Sequence, residues 1–134
     1  MFSEDLVNLK VNSLEINSDK TVIVLNTDSG KRYLVAEGDC CSNSWFENIS
    51  GLDNLIGQTI LEVTDVDLPD KNIDTDYEYF KFYSYKLRTP KGVCELEYRN
   101  SSNGYYGGSV SVEEELNKYY DEDLKNLKQV TKDF

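Results

Sequence analysis

The chain has 134 residues, 39% hydrophobic and 29% charged, with 14 Lys plus Arg against 25 Asp plus Glu and a net charge of −11. That length suits a single domain, 1–134, able to bury roughly two-thirds of its unfolded surface, and the composition is globular rather than disordered. A field of that sign argues against direct nucleic-acid binding and against an anionic membrane, and no apolar run approaches the roughly 20 residues of a membrane span.

The opening Met1-Phe2-Ser3-Glu4-Asp5-Leu6 has neither the basic nor the apolar stretch of a secretory leader, so a cytoplasmic location is expected. Val11 to Asn17 reads as a first strand. Thr21 to Leu25 and Lys31 to Ala36 flank the turn Asn26-Thr27-Asp28-Ser29-Gly30 and read as a hairpin. Ser44-x-x-Glu47 has the form of a capping box, which predicts a short central helix through Trp45, Phe46 and Ile49, stopped by Gly51. A further helical turn is expected over Leu52 to Ile56. Ile60 to Val66 is expected to be a strand and Asp67 to Asp76, with Pro69, an exposed loop.

Tyr77 to Arg88 carries aromatic residues on both faces, as a strand covered on two sides would. After the turn Thr89-Pro90-Lys91-Gly92, the run Val93 to Asn100 alternates, with Cys94, Leu96 and Tyr98 facing one way and Val93, Glu95, Glu97 and Arg99 the other. Asn103-Gly104 marks a tight turn, and Val110 and Val112 follow as strand residues. A second capping box at Ser111-x-x-Glu114, with Leu116, Tyr119, Tyr120, Leu124 and Leu127 at near-helical spacing, predicts an amphipathic C-terminal helix over about 112–130. The expected class is α+β: mainly antiparallel sheet, with a short central helix and that C-terminal helix.

Histidine is absent, so Ser-His-Asp and Cys-His arrangements cannot be built. No phosphate-binding glycine loop, dinucleotide fingerprint or HExxH helix occurs. Carboxylate pairs for acid–base work abound among 25 acids, and none stands out, so no catalytic residue is assigned and no cofactor is expected. Cys40 and Cys41 are adjacent and Cys94 is remote, a spacing that suits reduced thiols and no zinc site. The acids from Asp65 to Asp76 lack the central Gly and closing Glu of an EF-hand loop, so no metal site is expected.

Two segments concentrate groups that seek hydrogen bonds. In the first, Ser42, Asn43, Ser44 and Trp45 lead into the expected helix, whose N-terminus would present backbone N–H groups to phosphate. In the second, Arg99, Asn100, Ser101, Ser102, Asn103, Tyr105 and Tyr106 collect a guanidinium, amides, hydroxyls and two rings, a set that suits phosphate, base edges and stacking. The bland account of the first is a capped helix with Trp45 and Phe46 in the core. The bland account of the second is an Asn-Gly hairpin with a glycine bulge.

Gly38-Asp39-Cys40-Cys41-Ser42, Ser44-Trp45-Phe46, Gly51 to Ile60 and Arg99-Asn100-Ser101-Ser102-Asn103-Gly104-Tyr105-Tyr106-Gly107-Gly108 together resemble an uncharacterised family of small proteins encoded in bacteriophage genomes. The resemblance covers about 11–112 and leaves the C-terminal segment as an extension. It transfers no site residue. It implies an accessory protein in the cytoplasm of an infected bacterium, engaged in counter-defence. One reading is a protein that sequesters a nucleotide-like immune signal, a cyclic nucleotide or an adenosine diphosphate ribose derivative. The other is an acidic inhibitor that imitates nucleic acid and binds a basic host nuclease or other defence protein. A small carboxylate enzyme is a third reading, and a homo-oligomer is compatible with each.

Overall fold

The computed structural model describes residues 2–38, 42–75, 78–102 and 107–134. Its strands are β1 (Val11–Ile16), β2 (Val22–Thr27), β3 (Gly30–Gly38), β4 (Asn43–Ser50), β5 (Glu62–Asp67), β6 (Ile73–Asp74), β7 (Tyr79–Thr89), β8 (Gly92–Ser102), β9 (Gly108–Glu113) and β10 (Lys128–Gln129). They form two antiparallel sheets. The first runs β10-β1-β2-β3-β9; the second runs β4-β8-β7-β5, with β6 also paired to β7.

The sheets pack face to face through alternate residues, as period-2 patterning requires. Leu14, Ile16, Ile23, Leu25, Leu34, Ala36 and Val112 of the first meet Phe46, Ile49, Tyr83, Tyr85, Leu87, Cys94, Leu96 and Tyr98 of the second in one buried cluster. The alternation expected of Val93 to Arg99 is present, with Cys94, Leu96 and Tyr98 buried. The other face of the first sheet is apolar too: Val22, Val24 and Val35 are buried beneath Leu116, Tyr120, Leu124 and Leu127. Burying such side chains stabilises by about 1.5–3 kcal/mol each, which explains why this segment lies on the sheet.

The α+β expectation is overturned: the described residues hold short 3-10 turns but neither expected helix. The residues read as a central helix form β4, paired with β8 from Asn43↔Ser101 to Ser50↔Glu95. The misreading has a specific cause. A bulge between Phe46 and Asn48 inserts one residue, so the inward side chains fall at 44, 46 and 49. The last interval is three, which imitates helical spacing. Phe46 is buried, as the bland account has it, while Trp45 turns to the outer face and stays half-buried.

Toward the C-terminus, Ser111 lies within β9 and caps nothing. A 3-10 turn at Lys118–Tyr120 and i→i+3 bonds from Leu124 N to Asp121 O and from Lys125 N to Glu122 O replace the amphipathic helix. Leu116, Tyr120, Leu124 and Leu127 form the apolar face on tighter turns, whereas Tyr119, expected on that face, is exposed. The tail is then fastened by backbone pairing: β10 to β1, and Phe134 with Ile49 in both directions. Asp133 accepts from Leu52 N at 2.9 Å and Gly51 N at 3.0 Å, and these bonds hold its carboxyl below the usual range. Gly51 has φ of +75°, and a Cβ there would overlap the Val93 carbonyl oxygen, so only glycine fits.

Candidate functional site

The inner face of the second sheet changes character toward one end. Leu87, Cys94 and Leu96 give way to a cross-strand row of Phe46, Tyr98 and Tyr83, then to a row of Ser44, Asn100 and Lys81. Tyr98 stacks on Tyr83 at 4.7 Å and meets Phe46 edge-on at 6.2 Å. Tyr98 Oη donates to the Asp65 carboxylate at 2.9 and 3.0 Å. Burial and that neighbouring carboxylate push the Tyr98 phenol well above its usual range. Asp65 lies on the edge strand, accessible as a residue, yet desolvation of its carboxyl against the sheet raises its pKa, with the Tyr98 bond opposing.

In the polar row, Asn100 is fully buried and its Nδ2 donates to Ser44 Oγ at 2.9 Å and Ser42 Oγ at 3.2 Å. Its Oδ1 has no hydrogen-bond partner. Four described residues leave a buried polar atom so, and Asn100 is the one that is itself fully buried. An orphaned buried acceptor costs about 1–3 kcal/mol, a cost that a polar ligand or an ordered water would remove. The first sheet comes close at this point through glycine. A Cβ on Gly38 would overlap Ser42 Oγ and lie 2.8 Å from Asn100 Nδ2; one on Gly108 would lie 2.7 Å from Ser44 Oγ. Gly38 and Gly108 are themselves paired in register across β3 and β9. Both motif segments singled out in the sequence therefore converge on Asn100.

A cleft of about 380 Å³ opens beside this cluster, lined by Glu37, Gly38, Ser42, Asn43 and Ser44 on one side and by Tyr119, Tyr120 and Asp123 on the other. Glu37 accepts from Ser111 Oγ at 3.2 Å and Tyr120 Oη at 3.3 Å. Desolvation, with Glu37 alongside, raises the Tyr120 phenol above its ordinary range.

The structure thus brings Ser42, Asn43, Ser44 and Asn100 together and separates Arg99 and Trp45 from them. Those two face the outer side of the second sheet. There Arg99 lies 4.7 Å from the Phe82 ring and pairs with Glu47 at 3.5 Å and Glu97 at 3.8 Å, while Trp45 Nε1 donates to Glu47 at 2.6 Å. Ser101 Oγ reaches Glu78 at 3.3 Å on that outer side, and Ser102 is buried within the sandwich. Asn103, Tyr105 and Tyr106 lie outside the described residues, as do Asn103-Gly104, Cys40 and Cys41. Cys94 is a free thiol that burial pushes up to about 12. With β4 a strand, the rationale of a helix N-terminus holding phosphate at Ser42–Ser44 falls.

Sequence reasoning missed Lys81, Glu37, Tyr120 and the paired glycines. Lys81 carried a usable signal: it shares the inward register of Tyr79, Tyr83 and Tyr85, where a lysine is out of place unless it serves the polar end.

Fold and site together define an all-antiparallel, two-sheet protein with a polar cleft at one end of its sandwich. The chain belongs to the family described as Domain of unknown function (DUF7448), whose model matches residues 4–112. It is 32% identical over 115 residues to Uncharacterized protein L278 of Acanthamoeba polyphaga mimivirus, covering 79% of this chain and 88% of that one. No solved structure matches. Among the described residues no helix is long and apolar enough to cross a membrane.

Proposed function

We propose that this is a phage-encoded accessory protein of the infected cell's cytoplasm that acts by capture: it sequesters a nucleotide-type signalling molecule at the polar end of the sandwich. The observation that carries the reading is the Ser42–Ser44–Asn100 cluster, a hydrogen-bonded set in which Ser44 and Asn100 are buried and one acceptor is orphaned, beside a cleft of about 380 Å³. That volume falls within the range of about 300–1,000 Å³ usual for small-molecule sites. Among the described residues the cleft walls offer the Glu37 and Asp123 carboxylates and hydroxyls from Ser42, Ser44 and Tyr120, with no Lys or Arg. They suit the uncharged, donor-bearing base or sugar of such a ligand better than its phosphates.

Thermal-shift screening against cyclic di- and trinucleotides and adenosine diphosphate ribose derivatives tests it. A ligand present at a hundredfold excess over its Kd stabilises by about 2.7 kcal/mol, readily seen in a chain of this size. A panel without a saturable shift would overturn the reading.

A second reading is favoured by one observation. The outer edge of the second sheet, from Glu62 to Asp74, exposes Glu62, Asp65, Asp67, Asp70 and Asp74 against Lys71. A protein using this edge binds a basic host protein, and its association slows steeply with added salt. Replacing those acids by their amides would then abolish the salt dependence and leave nucleotide shifts untouched.

A further inference from the structure

We infer that Lys81 and Tyr83 form an anion subsite, the place for a phosphate group, on the inner face of the second sheet beside Asn100. Joining this subsite to the cleft ligand rests on the capture reading above, whereas the anion site stands on its own geometry.

Lys81 is the β7 partner of Asn100, as Ser44 is its β4 partner, so hydroxyl, carboxamide and ammonium form one row across three strands. Lys81 is half-buried as a residue, and no carboxylate of the described residues lies within 4 Å of its ammonium; its recorded contact is the Tyr79 ring at 5.8 Å. In a chain of net charge −11, a lysine in such a place without an acidic partner among the described residues is conspicuous. Tyr83 Oη accepts from Gly108 N at 3.1 Å, and its own proton finds no acceptor among the described residues. Both groups reach one point: a Cβ on Gly107 would lie 3.0 Å from Tyr83 Oη and 3.9 Å from Lys81 Nζ.

Donors that converge on one point are what a phosphate oxygen needs. The ammonium supplies three N–H donors and the phenol one O–H, and a charge-assisted bond is about twice as strong as a neutral one. Glycine at 107 and 108 keeps side chains out of that approach. Arg99, the cation that the sequence suggests, is already paired with Glu47 and Glu97 on the far face. Lys81 therefore takes the role that the sequence offers to Arg99.

The experiment is a titration of the full chain with sodium pyrophosphate, against sodium chloride at equal ionic strength, read by melting temperature and by the amide resonances of Gly107 and Gly108. Wild type gives a saturable response to pyrophosphate alone. Lys81→Gln weakens it by about tenfold or more, Tyr83→Phe weakens it less, and Arg99→Gln leaves it within about twofold. Equal binding by Lys81→Gln, no response of wild type, or the same response to chloride would each overturn the inference. The capture reading fails separately. Nucleotides that bind wild type and Lys81→Gln alike sink the joining of the subsite to the cleft ligand and keep the capture reading; pyrophosphate binding without any nucleotide binding sinks the capture reading and keeps the subsite.

Discussion

Asn100→Asp is the sharpest probe of the polar end, because it changes chemistry at constant shape. Asn100 is fully buried and donates two bonds from Nδ2, at 2.9 Å to Ser44 and 3.2 Å to Ser42. Each such bond contributes about 1 kcal/mol net. The substitution removes both donors and introduces a carboxylate, whose burial costs several kcal/mol unless it is paired. The two serine hydroxyls can rotate to donate, recovering about half of that, so the expected loss is about 3 kcal/mol at pH 8. The dependence on pH has a definite sign. Burial raises the folded pKa of the new carboxyl above its unfolded value of about 3.9. Its penalty is therefore absent below that value and grows as pH rises through the folded pKa, at up to about 1.4 kcal/mol per unit. Urea denaturation at pH 4 and pH 8 measures it, with Asn100→Ala as a control that loses about 2 kcal/mol at both. Equal stability of Asn100→Asp and wild type at pH 8, or a deficit independent of pH, would refute the buried-donor geometry.

Two other outcomes follow from contacts already described. Gly108→Ala places a methyl group 2.7 Å from Ser44 Oγ and 3.1 Å from Asn100 Cβ; it should cost about 1–3 kcal/mol, measured by urea denaturation, and an unchanged midpoint would show that the sheets do not approach so closely. Tyr98→Phe deletes the bond to Asp65, whose raised pKa rises further; the loss, about 1 kcal/mol for so accessible a carboxylate, is largest at neutral pH and fades as pH falls through the raised folded pKa toward the unfolded value, which thermal melts at pH 4 and pH 7 resolve.

Most of the strands were legible because each is a short β-branched or aromatic run closed by turn residues. Val93 to Asn100 shows this plainly: strict alternation assigned both faces before any pairing was known. The two helices failed for different reasons. In β4 a bulge shifts the inward face by one residue, and Ser-x-x-Glu is too short a pattern to outweigh Trp, Phe and Ile side chains that gain more from sheet packing. In the C-terminal segment, Leu116, Tyr120, Leu124 and Leu127 keep helical spacing, but what fixes their conformation is the valine surface beneath them and the tethers at β10 and Phe134. Neither is local in sequence. The convergence of the two polar segments on Asn100 was likewise invisible locally, since it depends on the β4–β8 register. Arg99 and Asn100 are adjacent in sequence yet face opposite sides of one sheet, which period-2 geometry implies once the strand extends through Ser102.

The family match ends at residue 112, within β9, and this divides the cleft into two kinds of wall. Glu37, Gly38, Ser42, Asn43 and Ser44 lie inside the matched span, as do Asn100 and Lys81 beside the cleft. Tyr119, Tyr120 and Asp123 lie beyond it, on the segment that covers Val22, Val24 and Val35. The polar end and its anion-seeking donors thus belong to the framework that the family model describes, whereas the far wall comes from a part of the chain outside it. Tyr119, 83% exposed, and Tyr120, fastened to Glu37 by one 3.3 Å bond, are held by little beyond that cover. Under the capture proposal, the phosphate contacts would fall in the matched span and part of the base or sugar contacts on the C-terminal segment.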